Sequence, residues 1–378
     1  QRQMCIRDSI SSVLLTGVTG YLGIHLLNNL LKSTYSKIYL LIRNKSINLN
    51  KISELWAYYF EENIPIYFLK RLKIIYGNIE NEHLNLNSKM YEDLSKNIDI
   101  IINSAANVSH FSDREDSYKT NVYSLHNLLK FANHNKKKEF HHMSTISIAS
   151  GNVNNDISKL NHFTENDLNI SQNPNNVYVE SKISAEEILR SNEYSNLNIN
   201  IYRLGNLQCD SKTGIFQKNP ENNAFFRIIK SFKNFGIYPL INNDYLEFTE
   251  VDKVSEACVK LICNSQLNNE TYHLFNNNLL KLSDLMSIYI SLDFNIKSVS
   301  WNDFIDLLIQ KFKNSSIDDD LDRFLLHTGI LDGNIFNSSD FEIHSFKTNF
   351  ILNKLGFNWE SIDKGTLKSM INHSKNSF

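Results

Sequence analysis

Over the first two thirds of the chain, short runs rich in β-branched residues alternate with longer stretches whose apolar positions recur at helical spacing. The runs predict strands over Ser12 to Thr16, Lys37 to Ile42, Leu72 to Tyr76, Asp99 to Asn103, Glu139 to Ser144 and Asn198 to Arg203, and a further one over Thr271 to Phe275. Between them, Tyr21 to Leu31, Ser117 to Asn133 and Tyr178 to Ser191 read as helices. Such alternation builds βαβ units and a parallel sheet. Strands covered by helices on both faces must be apolar almost throughout, as Ile98, Ile100, Ile101 and Ile102 are. The fold class expected is α/β, with a doubly wound parallel sheet. Beyond about residue 205 the pattern loosens into stretches such as Ala224 to Phe235, and from Leu280 onward it is mostly helical. This predicts a sheet domain over 10–205 and a smaller, mainly helical C-terminal lobe over 206–378, with a return to the sheet near 271–275.

Composition narrows the function classes. With 42% hydrophobic and 21% charged residues the chain is too apolar for wholesale disorder. A formal charge of -2 argues against an electrostatic nucleic-acid binder, and no nucleic acid is expected as partner. Cys5, Cys209, Cys258 and Cys263 form no Cys-x-x-Cys pair, so neither a disulfide scaffold nor a metal site of any kind is expected, and a reducing compartment is. No apolar run reaches the roughly 18 residues of a membrane helix, and the start lacks the layout of a secretory signal. The expected location is the cytoplasm. Residues 1–9 read as neither strand nor cap and are set aside as a non-native or disordered leader. Lys136 to Lys138 read as a solvated helix end, and His141 and His142 as structural histidines without a metal.

The first strand runs straight into Gly17-Val18-Thr19-Gly20-Tyr21-Leu22-Gly23, a G-x-x-G-x-x-G turn that opens an amphipathic helix. Glycines at such a turn allow a sharp bend, a close approach of pyrophosphate to the main chain, and tight packing of helix on strand. The helix N-terminus offers N–H groups and a positive dipole end to phosphates. This predicts a Rossmann-type dinucleotide site. An acid at the end of the second strand would bind a free ribose 2′-hydroxyl, but Lys37 to Ser46 carries none. Arg43 stands there instead, 20 residues after Gly23, with Lys45 close behind. A guanidinium pairs well with a 2′-phosphate, which favours NADPH over NADH.

Tyr178 and Lys182 stand four apart at the start of a helical stretch and so share one face. A tyrosine with its ordinary pKa of about 10 is a poor acid at neutral pH; a nearby ammonium favours the phenolate and is expected to strengthen it. A third hydroxyl belongs at the end of the fifth strand, because ligands in open α/β sheets lie beyond the carboxyl ends of strands. Ser144-Thr145-Ile146-Ser147 offers Thr145, with Ser144 and Ser147 as alternatives that spacing leaves open. Two aimed hydroxyls would stabilise the charge that hydride attack builds on a carbonyl oxygen.

The Gly-rich turn, Asn103-Ser104-Ala105-Ala106-Asn107-Val108, Thr145 and Tyr178-x-x-x-Lys182 together resemble the extended short-chain dehydrogenase/reductases. Further segments narrow the resemblance to the thioester reductase domains that terminate nonribosomal peptide synthetases, relatives of the reductase domains of carboxylic acid reductases and aminoadipate reductases. These are Arg43, Thr120-Asn121-Val122, Met143-Ser144-Thr145, Glu180-Ser181-Lys182, Tyr202-Arg203-Leu204-Gly205-Asn206 and Leu355-Gly356-Phe357-Asn358-Trp359. The resemblance covers nearly everything from Val13 onward.

It implies a catalytic triad of Thr145, Tyr178 and Lys182. It also implies cofactor contacts from Thr16, Gly17, Thr19, Gly20, Tyr21, Leu22, Gly23, Arg43, Asn78, Ile79, Ala105, Ala106, Asn107 and Asn121, together with Tyr178 and Lys182. Asn78 stands where the family usually has Asp, and keeps an acceptor oxygen. The implied chemistry is NADPH-dependent reduction of an acyl or peptidyl thioester on the phosphopantetheine arm of a carrier protein, giving an aldehyde, or an alcohol after a second round. The stretch 222–232 resembles a helix beside the substrate channel, where Phe225, Ile228, Ile229 and Phe232 suit lobe packing as well as acyl binding. A sugar-nucleotide epimerase or a fatty acyl-CoA reductase would share the turn and the Tyr–Lys pair. A non-catalytic dinucleotide sensor would share the turn but have lost the triad.

Overall fold

The computed structural model describes residues 10–108, 113–150, 152–153, 161–169, 172–174, 176–220, 223–241, 244–314 and 341–374. Seven strands form its main sheet: β1 (Ser12–Thr16), β2 (Lys37–Ile42), β3 (Leu72–Tyr76), β4 (Ile100–Asn103), β5 (Glu139–Thr145), β6 (Ile199–Leu204) and β7 (Thr271–Leu274). Every pairing is parallel, in the order β7-β6-β5-β4-β1-β2-β3. The order reverses between β1 and β4, which is the topological switch point of a doubly wound sheet, the place where such folds hold ligands. Helices on both faces explain why β1, β4 and β6 are buried at every position, while the edge strand β3 is not.

The helix expected over Ser117 to Asn133 is in fact three segments: an α-turn over Arg114–Tyr118, a π-turn over Lys119–Tyr123 and an α-helix over Ser124–Asn133. A π-turn admits one extra residue without ending the helix, so hydrophobic periodicity passes over it. It also places Asn121, which is buried, out of the regular helical register.

The chain divides into two compact units. The first holds the main sheet and comprises the described residues up to Gly205 with Val251–Phe275 and Phe341–Asn358. The sequence pattern placed a single return to the sheet near 271–275. The helix Val251–Ile262 already belongs to this unit, packing on Tyr21–Ser33 with Asn29 donating to Ser255 at 2.5 Å, and 341–358 return to it again. Cys258 and Cys263 are buried there, in keeping with packing roles.

The second unit comprises the described parts of 206–250, 276–340 and 359–378. Helices Ala224–Phe235, Leu282–Ser291, Trp301–Asn314 and Lys364–Ser374 dominate it, with three short strand pairs. Phe226, Ile228, Ile229 and Phe232 of its first helix are buried, and Phe232 meets Phe304 edge-on at 5.8 Å, so packing accounts for most of that apolar stripe. Among the described residues no helix is long and apolar enough to cross a membrane.

Candidate active site

At the carboxyl end of β1 the chain turns at Gly17, whose φ of +73° suits glycine; a Cβ there would stand 2.6 Å from the Ala105 nitrogen. A Cβ on Gly23 would meet the Gly17 oxygen at 2.0 Å, whereas one on Gly20 would lie at 3.2 Å. The helix Tyr21–Ser33 starts after Gly20 with no side-chain cap and no acid in its first turn, so its positive end is not offset by a carboxylate. Thr19 and Gly20 are exposed at the tip, and Tyr21 and Leu22 are half-buried. A turn packed too closely on backbone atoms to carry side chains at Gly17 and Gly23, beside an acid-free helix start, fits a pyrophosphate group.

Other groups expected at the cofactor prove to be tied to the walls of this crevice. Thr16 Oγ1 donates to Asn103 Oδ1 at 2.7 Å and accepts from the Ala105 amide at 3.2 Å, pinning β1 to the loop after β4. Asn121 accepts from the Asn107 amide at 2.8 Å and donates to the Asn107 carbonyl at 2.9 Å and to Ser181 Oγ at 3.0 Å. It thereby fixes the Ala105-Ala106-Asn107 wall to the helix Val177–Leu189. Asn78 Oδ1 accepts from the Glu80 amide, and Ile79 is buried, its carbonyl receiving Asn127 Nδ2. The Arg43 side chain is 70% exposed and pairs with Glu80 at 3.2 Å. Glu80 is nearly buried, accepts from Thr120 Oγ1 at 2.8 Å and lies 3.8 Å from Lys119. Sequence reading missed Glu80, because nothing in the spacing shows that residue 80 folds back beside residue 43.

The helix Val177–Leu189 begins where Asn176 Oδ1 accepts from the Val179 amide at 2.9 Å. Tyr178 and Lys182 follow one turn apart. The Tyr178 hydroxyl is hydrogen-bonded to the Thr145 side chain at the end of β5. Thr145 Oγ1 also accepts from the Ser147 amide and donates to Ser147 Oγ, both at 3.1 Å. Ser144 faces inward instead, donating to Glu186 at 2.6 Å. Of the three hydroxyls that spacing left open, the structure brings Thr145 to the tyrosine.

Lys182 does not act on Tyr178 in the way expected. Its ammonium is buried and donates to the Met143 carbonyl at 2.8 Å. Burial lowers its pKa to about 8, with Glu186 pulling the other way. Burial likewise pushes the Tyr178 phenol up to about 12, opposed by the Thr145 hydrogen bond. The expectation that the ammonium would dominate fails because sequence shows neighbours but not desolvation. The phenol therefore holds its proton at neutral pH and stands as a donor.

Beneath the triad lies a polar cluster. Arg203 grips Glu186 through Nε at 3.1 and 3.2 Å and Nη2 at 2.8 Å, and both side chains are fully buried. Arg203 Nη1 lies 3.0 Å from His273 Nε2, and Nη2 donates to the Asp167 carbonyl at 2.6 Å. His142, also buried, receives Asn103 Nδ2 at 3.2 Å, and burial and Lys182 hold its pKa well below the usual range, so it is neutral.

A family model described as "Male sterility protein", an NAD-binding family, matches residues 15–258. The chain belongs to that family. Its fold is that of an oxidoreductase of the extended short-chain dehydrogenase/reductase type. A solved thiolation-reductase di-domain from an archaeal nonribosomal peptide synthetase is similar, with a TM-score of 0.82 and 26% identity over 98% of this chain and 76% of that one. The terminal R domain from the myxalamid biosynthetic pathway shares the fold, with a TM-score of 0.82 and 23% identity over 97% of this chain and 91% of that one. A linear gramicidin synthase from Brevibacillus parabrevis is 26% identical over 318 residues, 82% of this chain and 6% of that protein. The chain thus spans a small part of this curated relative.

The glycine geometry gives a graded expectation. Gly23→Ala should weaken binding of the nicotinamide dinucleotide by about tenfold or more, equivalent to roughly 1.4 kcal/mol, and Gly20→Ala distinctly less. Fluorescence titration of folded variants measures both, and equal affinities for Gly23→Ala and the parent would contradict the cradle.

Proposed function

We propose that the chain reduces an acyl or peptidyl thioester, carried on the phosphopantetheine arm of a carrier protein, to an aldehyde with NADPH as reductant. The observation that carries this reading is the Tyr178–Thr145 hydrogen-bonded pair at the carboxyl end of β5, with Lys182 one turn along the same helix. Family membership supports a nicotinamide cofactor, and the likeness to a thiolation-reductase di-domain supports a substrate delivered as a thioester. The exposed Arg43 at the end of β2, where an acid would otherwise stand, supports NADPH.

The Gly-rich turn would hold the phosphates of NADPH, and the bound cofactor would supply the hydride for a carbonyl carbon. The chain's own residues work on the oxygen. As negative charge develops there, the Tyr178 and Thr145 hydroxyls, side by side at the end of β5, turn to the oxygen and stabilise it. Tyr178 then gives up its proton to that oxygen. Burial opposes the phenolate left behind, and the Lys182 cation one helical turn away offsets part of that penalty. Cleavage of the C–S bond in the resulting hemithioacetal releases an aldehyde and the carrier thiol.

NADPH oxidation with a carrier-bound acyl thioester and, separately, chromatographic conversion of UDP-sugars test the assignment. Turnover is expected with the thioester. Tyr178→Phe should cut kcat by about 10²–10⁴-fold while leaving cofactor affinity nearly intact, and Arg43→Ala should raise KM for NADPH by about 10–100-fold. Turnover of UDP-sugars alone, or full activity in Tyr178→Phe, would overturn the reading.

The pH dependence follows from Lys182. Its pKa lies below the ordinary lysine value, so the cation is lost as pH rises through about 8, and kcat/KM should fall above that point. In Lys182→Arg, which keeps its charge, whatever activity remains should lack this falling limb. An unchanged limb in that variant would assign it to another group.

A further inference from the structure

Two short strands far apart in sequence, Asn161–Phe163 and Phe341–Ile343, pair in parallel with His162 opposite Glu342. Successive residues of a strand point to opposite sides. Phe163 and Ile343 point inward, packing with Ile148 and Ala149, which follow Thr145, and with Ile183, the neighbour of Lys182. His162 and Glu342 are exposed on the outer side, and His344, just past the second strand, joins them. His162 Nδ1 lies 2.6 Å from His344 Nε2 and 3.6 Å from a Glu342 oxygen, and His344 Nε2 lies 3.9 Å from that oxygen. One ligand atom from each of the three thus falls within 4.8 Å of the others.

We propose that His162, Glu342 and His344 bind one divalent transition metal ion, Zn²⁺ by their chemistry, with water in the fourth position. Imidazole nitrogens select zinc and its neighbours over magnesium or calcium. Tetrahedral Zn²⁺ with bonds of about 2.0–2.2 Å separates its ligand atoms by roughly 3.3 Å, and the three distances here straddle that value. Small rotations of two solvent-facing side chains would even them out. His344 is the fixed member: its ring stacks on Phe346 at 4.8 Å, and its carbonyl accepts from His273 Nδ1 at 2.6 Å. The ion ties together residues 182 positions apart, on the outer side of a ribbon whose inner side backs the loop after Thr145. It serves as a clamp on that ribbon and takes no part at the reacting carbonyl.

Titration of the chelator-treated chain with Co²⁺, followed by Zn²⁺, tests the site. One equivalent of Co²⁺ per chain should bind with a four-coordinate visible spectrum lacking thiolate charge-transfer absorption. Zn²⁺ should displace it and raise the melting temperature. His162→Ala and Glu342→Gln alter exposed side chains, so their metal-free melting temperatures should match the parent, while each weakens Zn²⁺ binding by about 10–100-fold or more. Absence of saturable binding would overturn the proposal. So would a thiolate band, which would place the ion on cysteine, or unchanged Zn²⁺ affinity in His162→Ala.

Discussion

A lysine ammonium withdrawn from water is the costly element around which the catalytic half of this sheet is arranged. Burial penalises the charge of Lys182, and the Met143 carbonyl and the Glu186 carboxylate, one turn further along the helix, offset that penalty. Glu186 is itself fully buried and is sustained by the bidentate grip of Arg203 and by Ser144. Each group is tolerable only because the next is present. The cluster joins β5, β6 and β7 to the helix Val177–Leu189, and in doing so sets the height at which Tyr178 meets Thr145.

A second set of polar contacts performs the same service for the cofactor side. Thr16, Asn103 and His142 form a hydrogen-bonded row across β1, β4 and β5, at the point where the strand order reverses. Asn121, displaced by its π-turn, links the wall after β4 to Ser181 in the helix Val177–Leu189. The Gly-rich turn and the helix Val177–Leu189 are thus tied to one another through these side chains.

Much of this was legible in the chain. Strands such as Ile100–Asn103 announce themselves because two-sided burial demands unbroken apolar runs, and the glycine spacing shows where the main chain must pass close to a neighbour. What stayed hidden depends on three-dimensional adjacency. Arg203 in a wholly buried strand signals a buried partner, but its identity as Glu186, 17 residues earlier, comes only from the fold. Arg43 stands out at the end of β2, while nothing in the spacing marks Glu80, which pairs with it. The direction of the Tyr178 shift was misjudged because burial has no sequence signature as direct as a four-residue spacing. His162, Glu342 and His344 belong to no motif and meet only through a strand pairing.

The most direct measurement is a single turnover with NADPH deuterated at the transferable position of nicotinamide C4 and a carrier-bound acyl thioester. If hydride reaches the acyl carbon held at Tyr178 and Thr145, the aldehyde should carry one deuterium at its carbonyl carbon, in step with cofactor oxidation. Cofactor oxidation that leaves the acyl carbon unlabelled would contradict the assignment of this site to thioester reduction.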